Sequence, residues 1–236
     1  MLTSLDGRVI AVAGAAGGLG PTVARRLAES GATLSLGGRE QAKLDALAAE
    51  VGGSASGHEV DLLDETATRA WATDLVERQG RVDALAHLIG GWRGGTPIEE
   101  QPAEDWDWLA GLLVRTLQSA TRAFAAHLAQ SRGHFVIVST GQAQAPTSGN
   151  ASYAAAKAAA EAWTLALADR FRGSGATANI VVVGGAIVTP QMRAGKPGES
   201  FAGSTPAEEV AEAIAYLCSD AAASMNGQRL VLRGAA

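Results

Sequence analysis

Short apolar runs bounded by glycine or charge alternate along the chain with longer stretches of helical periodicity. Residues 9–13, 33–36, 55–60, 84–89, 134–139, 178–183 and 229–232 read as strands, each separated from the next by a segment long enough to cross over. Repeated strand–helix units predict an α/β fold with a doubly wound parallel sheet of about seven strands. Right-handed crossovers then place helices on both faces and leave the carboxyl ends of the strands as the binding edge. Two long segments, 104–130 and 152–172, are rich in Ala and Leu and apolar on more than one face. In the first, Leu109, Leu112, Leu113, Leu117, Phe124 and Leu128 cover more girth than one sheet is expected to bury. Trp163, Leu165, Leu167 and Phe171 do the same in the second, and both segments are therefore expected at a subunit interface. Residues 191–205, with Gly195, Gly198 and Gly203 among polar neighbours, are expected to form a flap over a substrate. There is no internal repeat, low-complexity tail or linker, so residues 1–236 read as one domain.

Composition fits one sizeable core: 47% of the 236 residues are hydrophobic and the mean hydropathy is +0.09. The formal net charge of −5 and the scattered Lys and Arg argue against a nucleic-acid surface. Cys218 is the only cysteine, so no intrachain disulfide is possible, which suits a reducing cytosol and a cytoplasmic location. The uncharged stretch 9–24 is too short and glycine-rich to span a bilayer, and Asp6 and Gly7 ahead of it do not suit a signal peptide. Neither a membrane nor export is expected. The four histidines, His58, His87, His127 and His134, are not at ligand spacing with Cys or carboxylates, so no metal is expected.

Chemistry enters at the two ends of the pattern. The first strand runs into Gly14-Ala15-Ala16-Gly17-Gly18-Leu19-Gly20 and then into a helical stretch from Pro21. Glycines there let the main chain approach a pyrophosphate, and the positive end of the following helix attracts its charge. The order is Gly-x-x-x-Gly-x-Gly over Gly14, Gly18 and Gly20. Far downstream, Tyr153 and Lys157 lie four apart in a small-residue run, on one face of a helix. A cation beside a phenol favours the phenolate, which suits a general acid/base that protonates a carbonyl oxygen while a hydride attacks its carbon. On their own, the same residues describe a tight turn and a solvated pair; together and in this order they describe a redox site.

The chain resembles the short-chain dehydrogenase/reductases over nearly its whole length, which implies a Rossmann-type fold, hydride transfer to or from a nicotinamide cofactor, and a homo-oligomer, dimer or tetramer with the tetramer favoured. The resemblance assigns Tyr153, Lys157 and a hydroxyl thirteen residues before the Tyr, Thr140, to catalysis. Ser139 stands one residue away and is the alternative. The cofactor is then held by Gly14, Gly17, Gly18, Leu19, Gly20, Asp61, Leu62, Gly90, Tyr153, Lys157, Gly185, Ile187 and Thr189, with 227–234 as the last strand and its glycine end. At the end of the second strand, Leu36-Gly37-Gly38-Arg39 holds no carboxylate to accept a ribose 2′-OH. Arg39 offers a forked cation suited to a 2′-phosphate, so NADP(H) is favoured over NAD(H), with adenine stacking as the other use of this side chain.

Departures from the family pattern are as specific as the matches. His87-Leu88-Ile89 replaces the usual Asn-Asn-Ala before Gly90, and His87 reads as a packed residue rather than a chemical one. Leu113 falls where the family has its catalytic Asn, so any proton relay must take another route. Asp83-Ala84 followed by Gly90-Gly91-Trp92-Arg93-Gly94-Gly95 resembles the dihydropteridine reductases, in which Trp92 would stack on a flat heterocycle; a Trp capping the core is the plainer alternative. Three functions follow: a reductase of a small carbonyl or related C=N compound with Tyr153 as acid, a dihydropteridine-reductase-like enzyme, or a nucleotide-binding protein with impaired turnover.

Overall fold

The computed structural model describes residues 3–232. Its seven-stranded sheet is parallel throughout, in the order β3-β2-β1-β4-β5-β6-β9. The strands are β1 (Val9–Ala13), β2 (Thr33–Gly38), β3 (Ser56–Glu59), β4 (Ala84–His87), β5 (His134–Thr140), β6 (Thr177–Val183) and β9 (Arg229–Leu232). A small parallel pair, β7 (Ile187–Val188) with β8 (Thr205–Pro206), lies after β6. The helices are α1 (Gly20–Glu29), α2 (Gln41–Val51), α3 (Glu65–Gln79), α4 (Ala103–Ala110), α5 (Thr116–Ser131), α6 (Ala151–Arg170), α7 (Pro190–Gly195) and α8 (Ala207–Leu217).

Alternation along the central strands builds two cores. Val9, Ala11 and Ala13 point into one with Trp71 of α3, Phe124 of α5 and Leu167 of α6; Ile10 and Val12 point into the other with Val23 of α1, Leu44 of α2 and Ile214 of α8. A strand covered on both faces is buried at every position, as β1 and β6 are; β1 is apolar throughout, and β6 is so apart from Thr177 and Asn179. This is the doubly wound arrangement, with the carboxyl ends of β1, β2, β4 and β5 along one edge.

One expectation changes. Residues 104–130 are not one helix: a π-helical turn, Gly111–Arg115, joins α4 to α5. The Thr116 hydroxyl donates to the Leu112 carbonyl at 2.6 Å within that turn, so a side chain serves a backbone group where the helix widens. Much of the apolar girth of this segment is covered within the chain, with Leu112 left partly exposed. Leu109, Leu113, Leu117, Phe124 and Leu128 are buried within the single chain, because α5 packs against the sheet and against α3 and α6 together, while α4 and the π turn pack on α6. Leu167 and Phe171 are buried likewise, with Trp163 and Leu165 partly so. The 191–205 segment forms α7, an exposed stretch, and the return into β8. Gly234 lies outside the described residues.

Candidate active site

A cleft of about 700 Å³ runs along the carboxyl edge of the sheet. Its floor starts at the glycine turn. Gly14 adopts φ +83°, a conformation strained for any other residue, and a Cβ on it would sit 3.2 Å from the Ile89 backbone nitrogen, so the turn passes close to the β4 loop. The N–H groups of Gly14 and Ala15 both donate to the Gly37 carbonyl, at 2.9 and 3.1 Å, which ties the turn to β2. Leu19 is the N-cap of α1 without a side-chain cap, Pro21 follows in the first turn, and no acidic residue stands there. The positive end of the helix is therefore left for an external anion. Gly14, Gly17, Gly18 and Leu19 line the cleft. Gly20 does not; it is buried behind the turn, where a Cβ would collide with the Ala15 backbone.

At one end Gly38, Arg39, Asp61 and Leu62 line the wall. Arg39 is exposed. Asp61 spends one carboxylate oxygen on the Leu63 N–H at 2.9 Å, closing a local turn that fixes the β3 end. The sequence reading missed Glu40, which also lines this end although no carboxylate was expected there; it pairs with Lys43 at 2.8 Å on α2. Its position two residues past the strand end, beside Arg39, is the available signal.

The other end holds the chemistry. Thr147 N–H donates to the Asn150 side chain at 2.7 Å, ordering the 3₁₀ turn Ser148–Asn150 from which α6 starts. One turn in, Tyr153 and Lys157 both line the cleft, the Lys157 Nζ 6.0 Å from the Tyr153 ring centroid. Lys157 is 7% exposed and donates to the Val138 carbonyl at 2.9 Å. Burial pulls its pKa down to about 8, against an opposing pull from Glu161. The expected lowering of the Tyr153 pKa by Lys157 is not found: burial raises the phenol above its ordinary range. Desolvation of a group inside the wall outweighs a cation 6.0 Å from its ring. Both Thr140 and Ser139 reach the cleft, but Ser139 donates to the buried Glu161 carboxylate at 2.5 Å. The Thr140 Oγ1 only accepts, from the Gln142 N–H at 3.3 Å, and so keeps its proton for a ligand.

Gly90, Gly185, Ile187 and Thr189 line the same end. Gly185 packs so tightly on the Gly203 carbonyl that a Cβ would collide, and the Thr189 hydroxyl accepts from the Met192 N–H at 3.2 Å to cap α7. Leu113 is buried with Leu109 and Ala156 and holds no polar group towards Lys157. His87 is buried too. Since the Thr116 hydroxyl gives its one proton to Leu112, the 3.3 Å contact between Thr116 Oγ1 and His87 Nε2 makes the imidazole the donor. Burial, with the charge of Lys157, holds the His87 pKa down to about 3, so the ring is neutral. Trp92 does not cap the core; it stands 57% exposed on the cleft rim, flanked by Arg93, which stacks on Trp108 at 4.4 Å and pairs with Asp105 at 3.0 Å.

The residues present fit a dinucleotide. The glycine turn is a cradle that a Cβ would fill, the α1 end is uncapped, and the buried Lys157 has used one of its three donors. Among the described residues no group of three or more His, Cys, Asp or Glu is placed to hold a metal ion, and no helix is long and apolar enough to cross a membrane.

The chain is similar to known proteins over nearly its whole length. A family model described as enoyl-(acyl carrier protein) reductase matches residues 14–234. A meso-2,3-butanediol dehydrogenase of Serratia marcescens is 28% identical, the match covering 98% of this chain and 95% of that one. A putative ketoacyl reductase of the monensin polyketide synthase of Streptomyces virginiae is 30% identical over 99% of this chain and 98% of its own. The crystal structure of a 3-ketoacyl-(acyl-carrier-protein) reductase from Brucella melitensis, complexed with NADH, superposes with a TM-score of 0.87 at 25% identity over 98% of both chains.

Proposed function

The chain belongs to the short-chain dehydrogenase/reductase family, and from that premise we propose that it is an NADP(H)-preferring oxidoreductase acting on an uncharged, largely apolar carbonyl or related C=N compound. The observation that carries the reading is the wall on which Thr140 keeps a free hydroxyl proton beside Tyr153 and the buried Lys157. Bound NADPH supplies the hydride. The Tyr153 hydroxyl donates its proton to the substrate oxygen, and Thr140 donates a hydrogen bond to the same oxygen, fixing the carbon before it. Lys157, held by Val138, offers its two remaining N–H groups to ribose hydroxyls and stabilises the phenolate left on Tyr153. Carbon gains the hydride and oxygen the proton, giving the alcohol, and the phenolate recovers its proton from solvent through the open cleft.

Substrate class follows from the lining. Trp92, Leu112, Gln142, Ile187 and Met192 surround this end, and Lys157 is its only charged side chain among the described lining residues. A carboxylate or phosphate on the substrate finds no second cation there. Trp92 on the rim favours a flat ring and supports the dihydropteridine-reductase-like activity as the second reading. We place the protein in the cytoplasm as a dimer or tetramer; burial pushes the Cys218 thiol up to about 12, so it is not a disulfide-forming group.

The test is NADPH oxidation against neutral ketones, quinones and pterins, with Tyr153→Phe alongside. The variant should lose at least about a hundredfold in kcat with cofactor affinity kept. Undiminished turnover in Tyr153→Phe overturns the mechanism; NADPH binding without turnover on any of these substrates replaces it with the binding-only function.

A further inference from the structure

One turn beyond Lys157 on α6, Glu161 is 1% exposed, a carboxylate almost wholly out of water. Such a group persists only when every oxygen is paired. Here three separate segments supply donors: Ser139 of β5 at 2.5 Å to one oxygen, and Gln144 at 2.6 Å and Arg229 of β9 at 2.6 Å to the other. A helix-interior position facing the sheet is ordinarily filled by an apolar side chain, so this arrangement is a built one.

The groups around it decide what it does. Lys157 faces Tyr153 and Glu161 from its own helix, neutral His87 from β4, and the uncharged Val138 carbonyl, Ser139 and Thr140 from β5. The π turn contributes Leu112, Leu113 and the Thr116 hydroxyl, with Arg115 exposed; β9 contributes Arg229, which lies on Glu161. Among the described residues Glu161 is therefore the buried anion that acts on a lysine whose burial disfavours its charge.

We propose that Glu161 is the positioning residue of this site: it keeps Lys157 cationic through the cleft wall, with Arg229 as the counter-ion that moderates it, and by engaging Ser139 it leaves Thr140 as the substrate-side hydroxyl. The inference rests on the Tyr153–Lys157 reading of the site. Arg229 is 40% exposed at its side chain, so the relay connects the last strand, at the surface, to the charge state of the catalytic end.

Lysine is sparse enough for a direct test. The chain has three, Lys43, Lys157 and Lys196, and the outer two are exposed and paired with Glu40 and Glu199. Protein labelled with ¹³C at the lysine ε-carbon gives three NMR titrations from pH 6 to 11, in which the buried Lys157 is displaced downwards. Glu161→Gln should lower the Lys157 midpoint by about one pH unit, and Arg229→Gln should raise it by about half a unit, because one removes the anion and the other its counter-ion. The Lys43 and Lys196 midpoints stay fixed throughout. An unmoved midpoint in Glu161→Gln, or shifts of the same sign in the two charge variants, overturns the proposal. Should Glu161→Gln fail to fold, Arg229→Gln decides alone: an unchanged or lowered midpoint rejects the relay. The titration needs no substrate, so a wild-type protein without NADPH oxidation rejects the function proposed above and leaves this result readable.

Discussion

Arg39 stands exposed at the end of β2 on the cleft wall, and its near neighbour Glu40 is turned to Lys43. With that carboxylate paired, a forked cation remains at the position where a 2′-phosphate would lie. Arg39→Ala should therefore weaken NADPH binding by about 1.5–3 kcal/mol and leave NADH nearly unchanged, since only a charged hydrogen bond is lost. Fluorescence titration with both nucleotides checks it; parallel losses would assign Arg39 to adenine stacking. Residues of this kind were legible because their spacing is local: Tyr153 and Lys157 share a helix face, and Arg39 ends a strand. That the Ser139 proton is committed while that of Thr140 is not was illegible, because Glu161 takes the Ser139 proton from across the fold. The raised Tyr153 pKa was illegible for the same reason, since burial is set by the walls and not by the i,i+4 partner.

At the scale of elements, strand positions were legible within a residue or two, as apolar runs covered on both faces leave little freedom in where a strand sits. The break at Gly111–Arg115 was not, because helical periodicity continues through it and the Thr116 hydroxyl that serves Leu112 is silent in an apolar pattern. The glycine turn gives an element-level prediction. Gly20 is buried against the Ala15 backbone, whereas Gly18 faces open space without positive φ. Gly20→Ala must push the first turn of α1 away from the strand end, which should cost about 1–3 kcal/mol and weaken NADPH binding at least about tenfold. Gly18→Ala should be close to neutral for stability. Thermal unfolding and nucleotide titration of the pair test this; a stable, tightly binding Gly20→Ala would show that the turn is not held by close packing.

For the whole molecule, periodicity reports that a face is buried and not what buries it. Of the apolar girth in the helices from α4 to α6, Leu112, Trp163 and Leu165 stay partly exposed, whereas the sheet and its neighbouring helices bury Leu109, Leu113, Leu117, Phe124 and Leu128. The same burial has a consequence in acid. His87 and His134 are both buried, with pKa values held down to about 3 and about 4 by desolvation first, and then by the charges of Lys157 and of Arg8 respectively. The unfolded chain binds protons at both rings near pH 6.5 while the folded chain does not, so stability is full above that value and is lost as pH falls through it towards 4. Glu50 and Asp220 have lowered pKa values and keep their charges throughout the upper part of this window, so the histidines dominate there. Each ring loses about 1.4 kcal/mol per pH unit once the unfolded state is protonated, which puts the combined loss between pH 7 and pH 5.5 at about 2.5 kcal/mol. Urea unfolding at the two pH values measures it directly. His134→Asn should abolish about half of the difference, and equal stability of the wild-type chain at both values would show that these rings are not held neutral by the sheet.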